Sequence, residues 1–218
     1  FWLKAPPPRR LPLSPMGTPG QVAMEAEGSG PQARVATRCP AVKDDAPEFM
    51  LDAPRTKVGD SLPSSVGCEV LDRFGAACGR LDAASCAGCL TLLCLFDPGC
   101  CICKRFALPR LERLWQEAGK NSQCHVVAVG RGCDVDGLGK FREECRAAAE
   151  AGDRHIVDLT LPMAPDLDKT VFDCFAEAIV PRFYLLGPDA CILYQQGGYD
   201  EQEFAAMELC LDQELTYL

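Results

Sequence analysis

The hydrophobic pattern divides the chain near residue 56. Residues 1–55 hold a dense scatter of Pro, Gly, Ser and Ala with little periodic hydrophobicity. Such a segment buries too little apolar surface to offset the entropy of ordering the chain. We therefore predict a disordered tail over residues 1–55 and one folded domain over residues 56–218.

The strongest strand signal is the nearly continuous apolar run Leu90–Phe96. Its length fits a strand buried on both faces, and the following Asp97-Pro98-Gly99 fits the turn that ends it. Shorter runs predict further strands. These are Cys68–Leu71, Cys124–Val129, His155–Leu159, and a hairpin of Arg182–Leu186 with Cys191–Gln195.

Helical spacing of apolar residues follows the central strand. Leu111 and Leu114 recur with the helical period. Further helices are predicted over residues 138–151 and 168–178, and after the N-cap residue Asp200. Alternating strands and helices are typical of parallel strands, whereas the hairpin adds antiparallel ones. The predicted fold class is α/β, with a central mixed β-sheet flanked by helices.

Charge and hydropathy narrow the choice of partners. The formal net charge of −9 would repel both a nucleic-acid backbone and an anionic membrane surface. No apolar run is long enough to cross a bilayer. We expect neither nucleic acid nor membrane as a partner, and the oligomeric state stays open.

The cysteine content bears on the compartment. Several of the 15 cysteines lie among apolar residues, where a reduced thiol behaves as a small hydrophobe; these include Cys94, Cys145, Cys174 and Cys210. The opening Phe1–Pro8 also lacks the apolar core of a signal peptide. We therefore expect a reducing location, either the cytoplasm or an organelle interior, and no secretion.

One cysteine cluster lies where a strand passes into a helix. Cys100-Cys101-Ile102-Cys103 follows the turn after Leu90–Phe96. The N-terminus of a helix favours a thiolate at the first cysteine of a C-x-x-C pair. The second cysteine, one turn further on, can then attack a mixed disulfide formed by the first. This placement favours a redox-active dithiol of Cys100 and Cys103.

Four landmarks along the chain resemble those of the thioredoxin-like redoxins, which include the alkyl hydroperoxide reductase and thiol-specific antioxidant proteins. They are Val58-Gly59-Asp60 with Pro63, Leu95–Lys104 with Pro109, Val180–Asp189, and Gly197-Gly198-Tyr199. The resemblance implies a thioredoxin fold from about residue 57 to residue 218. It also implies that Pro181 follows a cis peptide bond, faces the cysteines and, with Val180, borders the bound substrate.

Two departures from the family pattern leave the motif register open. Gly99 stands where the family usually has an aromatic residue, and Pro109 follows Cys103 by six residues rather than five. Counting back from Pro109 would make Cys101 the nucleophile. We favour Cys100, because residues two apart, such as Cys101 and Cys103, do not face each other on a helix.

The resemblance implies a thiol-disulfide oxidoreductase whose partners are protein dithiols or disulfides, or an electron donor. It implies no cofactor. A peroxiredoxin-like peroxidase is the first alternative, although Asp97 replaces the threonine expected three residues before the nucleophile. A second alternative is a non-enzymatic binding module with the same fold.

Two further interpretations concern the cysteines themselves. The cluster at residues 100–103 could be structural and buried. The pairs Cys86/Cys89 and Cys100/Cys103 also have the spacing of a four-thiolate zinc site. We expect no metal, because the strand between the two pairs would have to turn back on itself.

Overall fold

The computed structural model describes residues 54–118 and 121–218. The predicted tail therefore lies outside the described residues except for Pro54 and Arg55. The backbone N–H of Arg55 donates to the carbonyl oxygen of Phe175 at 2.9 Å. Arg55 therefore contacts the folded domain.

The described chain contains seven strands and five α-helices. The strands are β1 Cys68–Leu71, β2 Ala77–Leu81, β3 Leu90–Phe96, β4 Cys124–Arg131, β5 Met163–Asp166, β6 Arg182–Leu186 and β7 Ile192–Gly197. The helices are α1 Ala83–Cys86, α2 Leu108–Ala118, α3 Val135–Glu150, α4 Phe172–Phe175 and α5 Glu201–Tyr217. A π-helical turn, Cys103–Ala107, leads directly into α2.

All seven strands form one mixed sheet in the order β2-β1-β5-β4-β3-β6-β7. The three central strands β5, β4 and β3 are parallel. Strand β6 runs antiparallel to β3 and forms the predicted hairpin with β7. The mixed sheet flanked by helices confirms the predicted fold class.

Strand β3 is buried along its whole length because both faces of the sheet are covered. Successive side chains of a strand point to opposite faces. Leu93 and Leu95 join a core with Tyr184 and the aromatic residues of α4. On the other face, the rings of Phe96 and Phe141 of α3 lie 5.3 Å apart. The central strand therefore holds the cysteine turn on a rigid support.

The predicted strand His155–Leu159 is wrong. The fifth strand is Met163–Asp166 instead. The carboxylate of Glu112 on α2 accepts the backbone N–H groups of Thr160 and Leu161, at 2.8 Å and 2.9 Å. Because these two N–H groups donate to a helix side chain and not to a neighbouring strand, the fifth strand begins after them, at Met163.

The predicted helix over residues 168–178 is much shorter, being confined to Phe172–Phe175. The buried side chain of Asp166 accepts the N–H groups of Val171 and Phe172, at 3.0 Å and 2.8 Å. The Asp166 side chain thus accepts the backbone N–H groups at the start of the helix, which have no acceptor within the helix itself. Sequence patterns also missed β2 and α1, which follow the turn at Gly75.

Candidate functional site

The turn after β3 is shaped by Asp97. Its Oδ1 accepts the N–H of Gly99 at 2.8 Å, and its carbonyl oxygen accepts the N–H of Cys100 at 2.9 Å. The two bonds close a tight turn between the central strand and the helix that follows. Cys100 therefore lies at the entrance to the helix, at the carboxyl end of β3.

Cys100 and Cys103 are brought together by the first helical turn. The backbone N–H of Cys103 donates to the sulfur of Cys100 at 3.2 Å. Cys100 is partly exposed, whereas Cys103 is completely buried. Burial, followed by a hydrogen bond with the Cys100 sulfur, raises the pKa of the Cys103 thiol far above its usual range. The pair therefore combines one accessible sulfur with one buried neutral thiol.

Cys101 has a different environment from its two neighbours. It lies on the exposed side of the first helical turn. Ile102, the next residue, is also half-exposed. Cys101 is therefore accessible to reagents, but it does not share the hydrogen bond that links Cys100 with Cys103.

A third thiol, which is also buried, lies close to this pair. Cys94 on β3 is completely buried, and burial is the main cause that raises its pKa. Negative charge on Cys100 raises the pKa of Cys94 further, which places the two sulfurs in the same environment. The sequence pattern identified Cys94 only as a core residue, which its burial confirms.

Pro181 lies next to the cysteine turn because of the sheet register. The Val180–Pro181 peptide bond is cis, as predicted. Arg182 pairs with Leu95 of β3, so Pro181 is level with Phe96, at the strand end that leads to Cys100. Pro181 is buried and Val180 is partly exposed. Their contact with a substrate stays a prediction.

Arg131 is a residue of this region that the sequence analysis missed. It ends β4, and its Nη2 donates to Oδ2 of Asp97 at 3.0 Å. A charged residue at the end of a buried strand was the available signal. Its partner Asp97 could be identified only from the strand register, which pairs Phe96 with Gly130.

The four thiolates of the zinc alternative are not assembled. Cys86 and Cys89 precede β3, whereas Cys100 and Cys103 follow it. A strand of this length separates its ends by about 20 Å. Within residues 54–118 and 121–218, no group of three or more potential metal ligands is found, and no cysteine in these ranges forms a disulfide bond.

Comparison with known proteins places this geometry in a structural context. No family model matches the chain, and no curated protein matches it in sequence. Among solved structures, it is similar to a putative protein disulfide isomerase from Bacteroides thetaiotaomicron. The TM-score is 0.60 at 19% identity, covering 75% of this chain and 92% of that one. The domain has the thioredoxin-like fold.

Other similar structures include two kinds of redox protein. A putative thiol:disulfide interchange protein DsbE from Chlorobium tepidum has a TM-score of 0.53 at 18% identity, covering 73% of this chain and 98% of that one. A mitochondrial 2-Cys peroxiredoxin from Plasmodium falciparum has a TM-score of 0.51 at 11% identity, covering 71% and 94%. The fold confirms the resemblance to the redoxins, and at these identities the fold is what the comparison establishes.

The predicted compartment is contradicted by these comparisons. The putative DsbE from Chlorobium tepidum, which has this fold, is described as a thiol:disulfide interchange protein. Because a protein of that kind handles disulfides, the fold and its reduced cysteines do not assign this chain to a reducing interior. The prediction of a reducing location without secretion is wrong. Among the described residues, no helix is long and apolar enough to cross a membrane.

Proposed function

We propose that the chain is a thiol-disulfide oxidoreductase with Cys100 as nucleophile and Cys103 as resolving thiol. The observation that carries the proposal is the N–H of Cys103 directed at the Cys100 sulfur across 3.2 Å. Donation from a helix N-terminus favours negative charge on that sulfur. Cys100 is also the member of the pair that solvent reaches, so it is the one that a disulfide substrate can meet.

The proposed reaction conserves atoms and electrons in two exchange steps. The Cys100 thiolate attacks one sulfur of a protein disulfide, forms a mixed disulfide and releases the other substrate sulfur as a thiolate, which takes up a proton from solvent. Cys103 then loses its proton and attacks the Cys100 sulfur, which releases the second substrate thiol. The substrate gains two electrons, and the Cys100–Cys103 disulfide forms. A dithiol donor reverses both steps and restores the reduced pair.

We assign Val180 and Pro181 to the border of the substrate groove. The register of β6 against β3 supports this role, because it puts the cis peptide bond level with the end of β3. An extended chain lying there would pass close to the cysteine turn. The proposed substrates are therefore protein disulfides rather than small molecules alone.

The site chemistry favours disulfide exchange over peroxide reduction. Asp97 occupies the position of the threonine hydroxyl that the peroxidase alternative requires. Its carboxylate already accepts hydrogen bonds from Gly99 and Arg131. A carboxylate is an acceptor with no proton to donate to peroxide.

Reduction of insulin disulfides, with dithiothreitol as electron donor, tests the proposal. We expect C100S to lower the rate by at least about 100-fold, because the attacking sulfur is lost. C191S is a matched control, since Cys191 is also partly exposed but follows β6 at the opposite end of the sheet. Unchanged activity in C100S contradicts the proposal. Consumption of hydrogen peroxide without insulin reduction would support the peroxidase instead.

A further inference from the structure

Arg131 contacts two separate segments beside the candidate site. Its Nη2 donates to Asp97 Oδ2 at 3.0 Å, and its Nη1 donates to the carbonyl oxygen of Ala178 at 2.7 Å. The guanidinium also lies 4.7 Å above the ring of Phe172. These contacts fix the position of the guanidinium from three directions.

The first of these segments is the cysteine turn. Asp97 uses its other carboxylate oxygen to accept the N–H of Gly99, and its carbonyl accepts the N–H of Cys100. The carboxylate that Arg131 holds is thus the one that shapes the turn. Because the side chains of Arg131 and Asp97 are only 20% and 34% exposed, solvent screens this ion pair less than a surface pair.

The second segment is the loop that leads into the cis peptide bond. Ala178 lies two residues before Val180, and Pro181 follows immediately before β6. This loop reaches the sheet on the opposite side of β3 from Arg131, because the strand order is β4-β3-β6. Arg131 therefore spans the end of the central strand and connects the two borders of the proposed groove.

We propose that Arg131 is a positioning residue that sets the distance between the cysteine turn and the loop at residues 176–180. This inference rests on the proposed function and extends that function to the selection of substrates. A protein disulfide must contact both borders of the groove at once, whereas a small disulfide needs only the Cys100 sulfur. Loss of Arg131 impairs the protein substrate selectively.

The chemistry of the side chain explains why arginine is needed here. A guanidinium presents several N–H donors in a rigid planar fork, so Nη1 and Nη2 reach acceptors in different segments at the same time. A lysine ammonium is a single point charge on a flexible stem. R131K retains the attraction to Asp97 but not both contacts in fixed geometry.

The test compares two substrates in wild type, R131K and R131M. We expect kcat/KM for insulin to fall about tenfold in R131M and by a smaller factor in R131K, mainly through KM. We expect the rate with the small disulfide 5,5′-dithiobis(2-nitrobenzoic acid), taken from the reaction phase that C100S abolishes, to stay within twofold. R146M is the matched control, because Arg146 forms an exposed ion pair with Glu143 on α3.

Two kinetic results overturn the proposal. One is an R131M protein that reduces insulin within twofold of wild type. The other is an equal loss with both substrates, since a general structural defect would lower both rates together. Thermal unfolding of each variant accompanies the assay and identifies any variant that fails to fold. If R131M does not fold, the comparison is made with R131K.

Hydrogen exchange separates this proposal from the proposed function. If wild type reduces no disulfide, the kinetic comparison is replaced by amide exchange in the reduced protein. The proposal then requires faster exchange at residues 97–100 and 176–180 together, in both R131M and D97N. Unchanged exchange at residues 176–180 overturns the role of Arg131, whatever reaction the protein catalyses.

Discussion

At the scale of single residues, two cysteines three positions apart have opposite environments. Cys100 lies at the mouth of the helix and is partly exposed, while Cys103 faces the core and is completely buried. Position along the helix creates this difference, because Cys100 lies at the exposed end of the helix, whereas Cys103, one turn further on, lies against the core. Reactivity of the two thiols should differ accordingly.

The identity of the nucleophile is open to direct trapping. We expect C103S to accumulate a mixed disulfide with a protein substrate on Cys100, because attack is retained and resolution is lost. Mass spectrometry of the peptide adduct checks the attachment site. An adduct on Cys101 would show that the alternative motif register is right.

The raised pKa of Cys103 predicts how resolution depends on pH. The attacking species is the thiolate, and burial keeps this thiol protonated at neutral pH. Below the pKa, the thiolate fraction rises tenfold for each pH unit. We therefore expect decay of the wild-type mixed disulfide to accelerate about tenfold per unit between pH 7 and 9, measured by acid quenching. A rate that is flat over this interval would contradict Cys103 as the resolving thiol.

At the scale of elements, the helix after the motif explains the unusual position of Pro109. The N–H of Leu108 donates to the carbonyl oxygen of Cys103, five residues earlier, so the turn Cys103–Ala107 is π-helical. A π turn holds one residue more than an α turn. This extra residue accounts for the spacing of six between Cys103 and Pro109, without a shift of the cysteines.

A second element-scale feature is the attachment of α2 to the segment before β5. Glu112 is 6% exposed, and its carboxylate accepts the two backbone N–H groups of Thr160 and Leu161. A sequence pattern shows that a glutamate lies on the helix, but it does not show which distant backbone N–H groups the glutamate accepts. This contact decided where the fifth strand begins.

Removal of this carboxylate should be costly. We expect E112A to lower the free energy of unfolding by about 2–4 kcal/mol, because it leaves two sheltered N–H groups without an acceptor. Urea denaturation at pH 7 measures the change. E117A, on the exposed side of the same helix, should change stability by less than about 0.5 kcal/mol. Equal effects in the two variants would contradict the assigned role of Glu112.

At the scale of the whole molecule, many thiols are buried in a reduced form. Burial is the largest cause of a raised pKa for eight cysteines. These are Cys68, Cys78, Cys86, Cys94, Cys103, Cys124, Cys133 and Cys145. In the unfolded chain the same thiols ionise near their ordinary pKa. The folded state therefore binds more protons than the unfolded state at alkaline pH.

This difference predicts alkaline destabilisation of the reduced protein. Stability from these thiols is fully present below the unfolded pKa of about 8.5, and it declines as pH rises toward the folded values. Each fully buried thiol contributes a slope of about 1.4 kcal/mol per pH unit above about pH 9. Urea denaturation with a reductant, from pH 7 to 10, should show this decline. C94A should reduce the slope relative to wild type, and an unchanged slope would contradict the assignment to buried thiols.

The amino-acid sequence by itself determined the central part of the fold. The apolar run Leu90–Phe96 matches β3 residue for residue, and the hairpin strands and the Asp200 N-cap were also predicted correctly. The cysteine motif and Pro181 were identifiable as well. These features depend on local periodicity, turn residues and spacing, which a short stretch of chain carries on its own.

Tertiary structure alone decided which distant groups share an environment. The short α4, the late start of β5 and the Arg131 contacts each depend on partners at least five residues away in sequence, most of them more than thirty. Hydrogen bonds to buried side chains override local propensity, because leaving such donors or acceptors unpaired costs more than the local preference for a helix or strand.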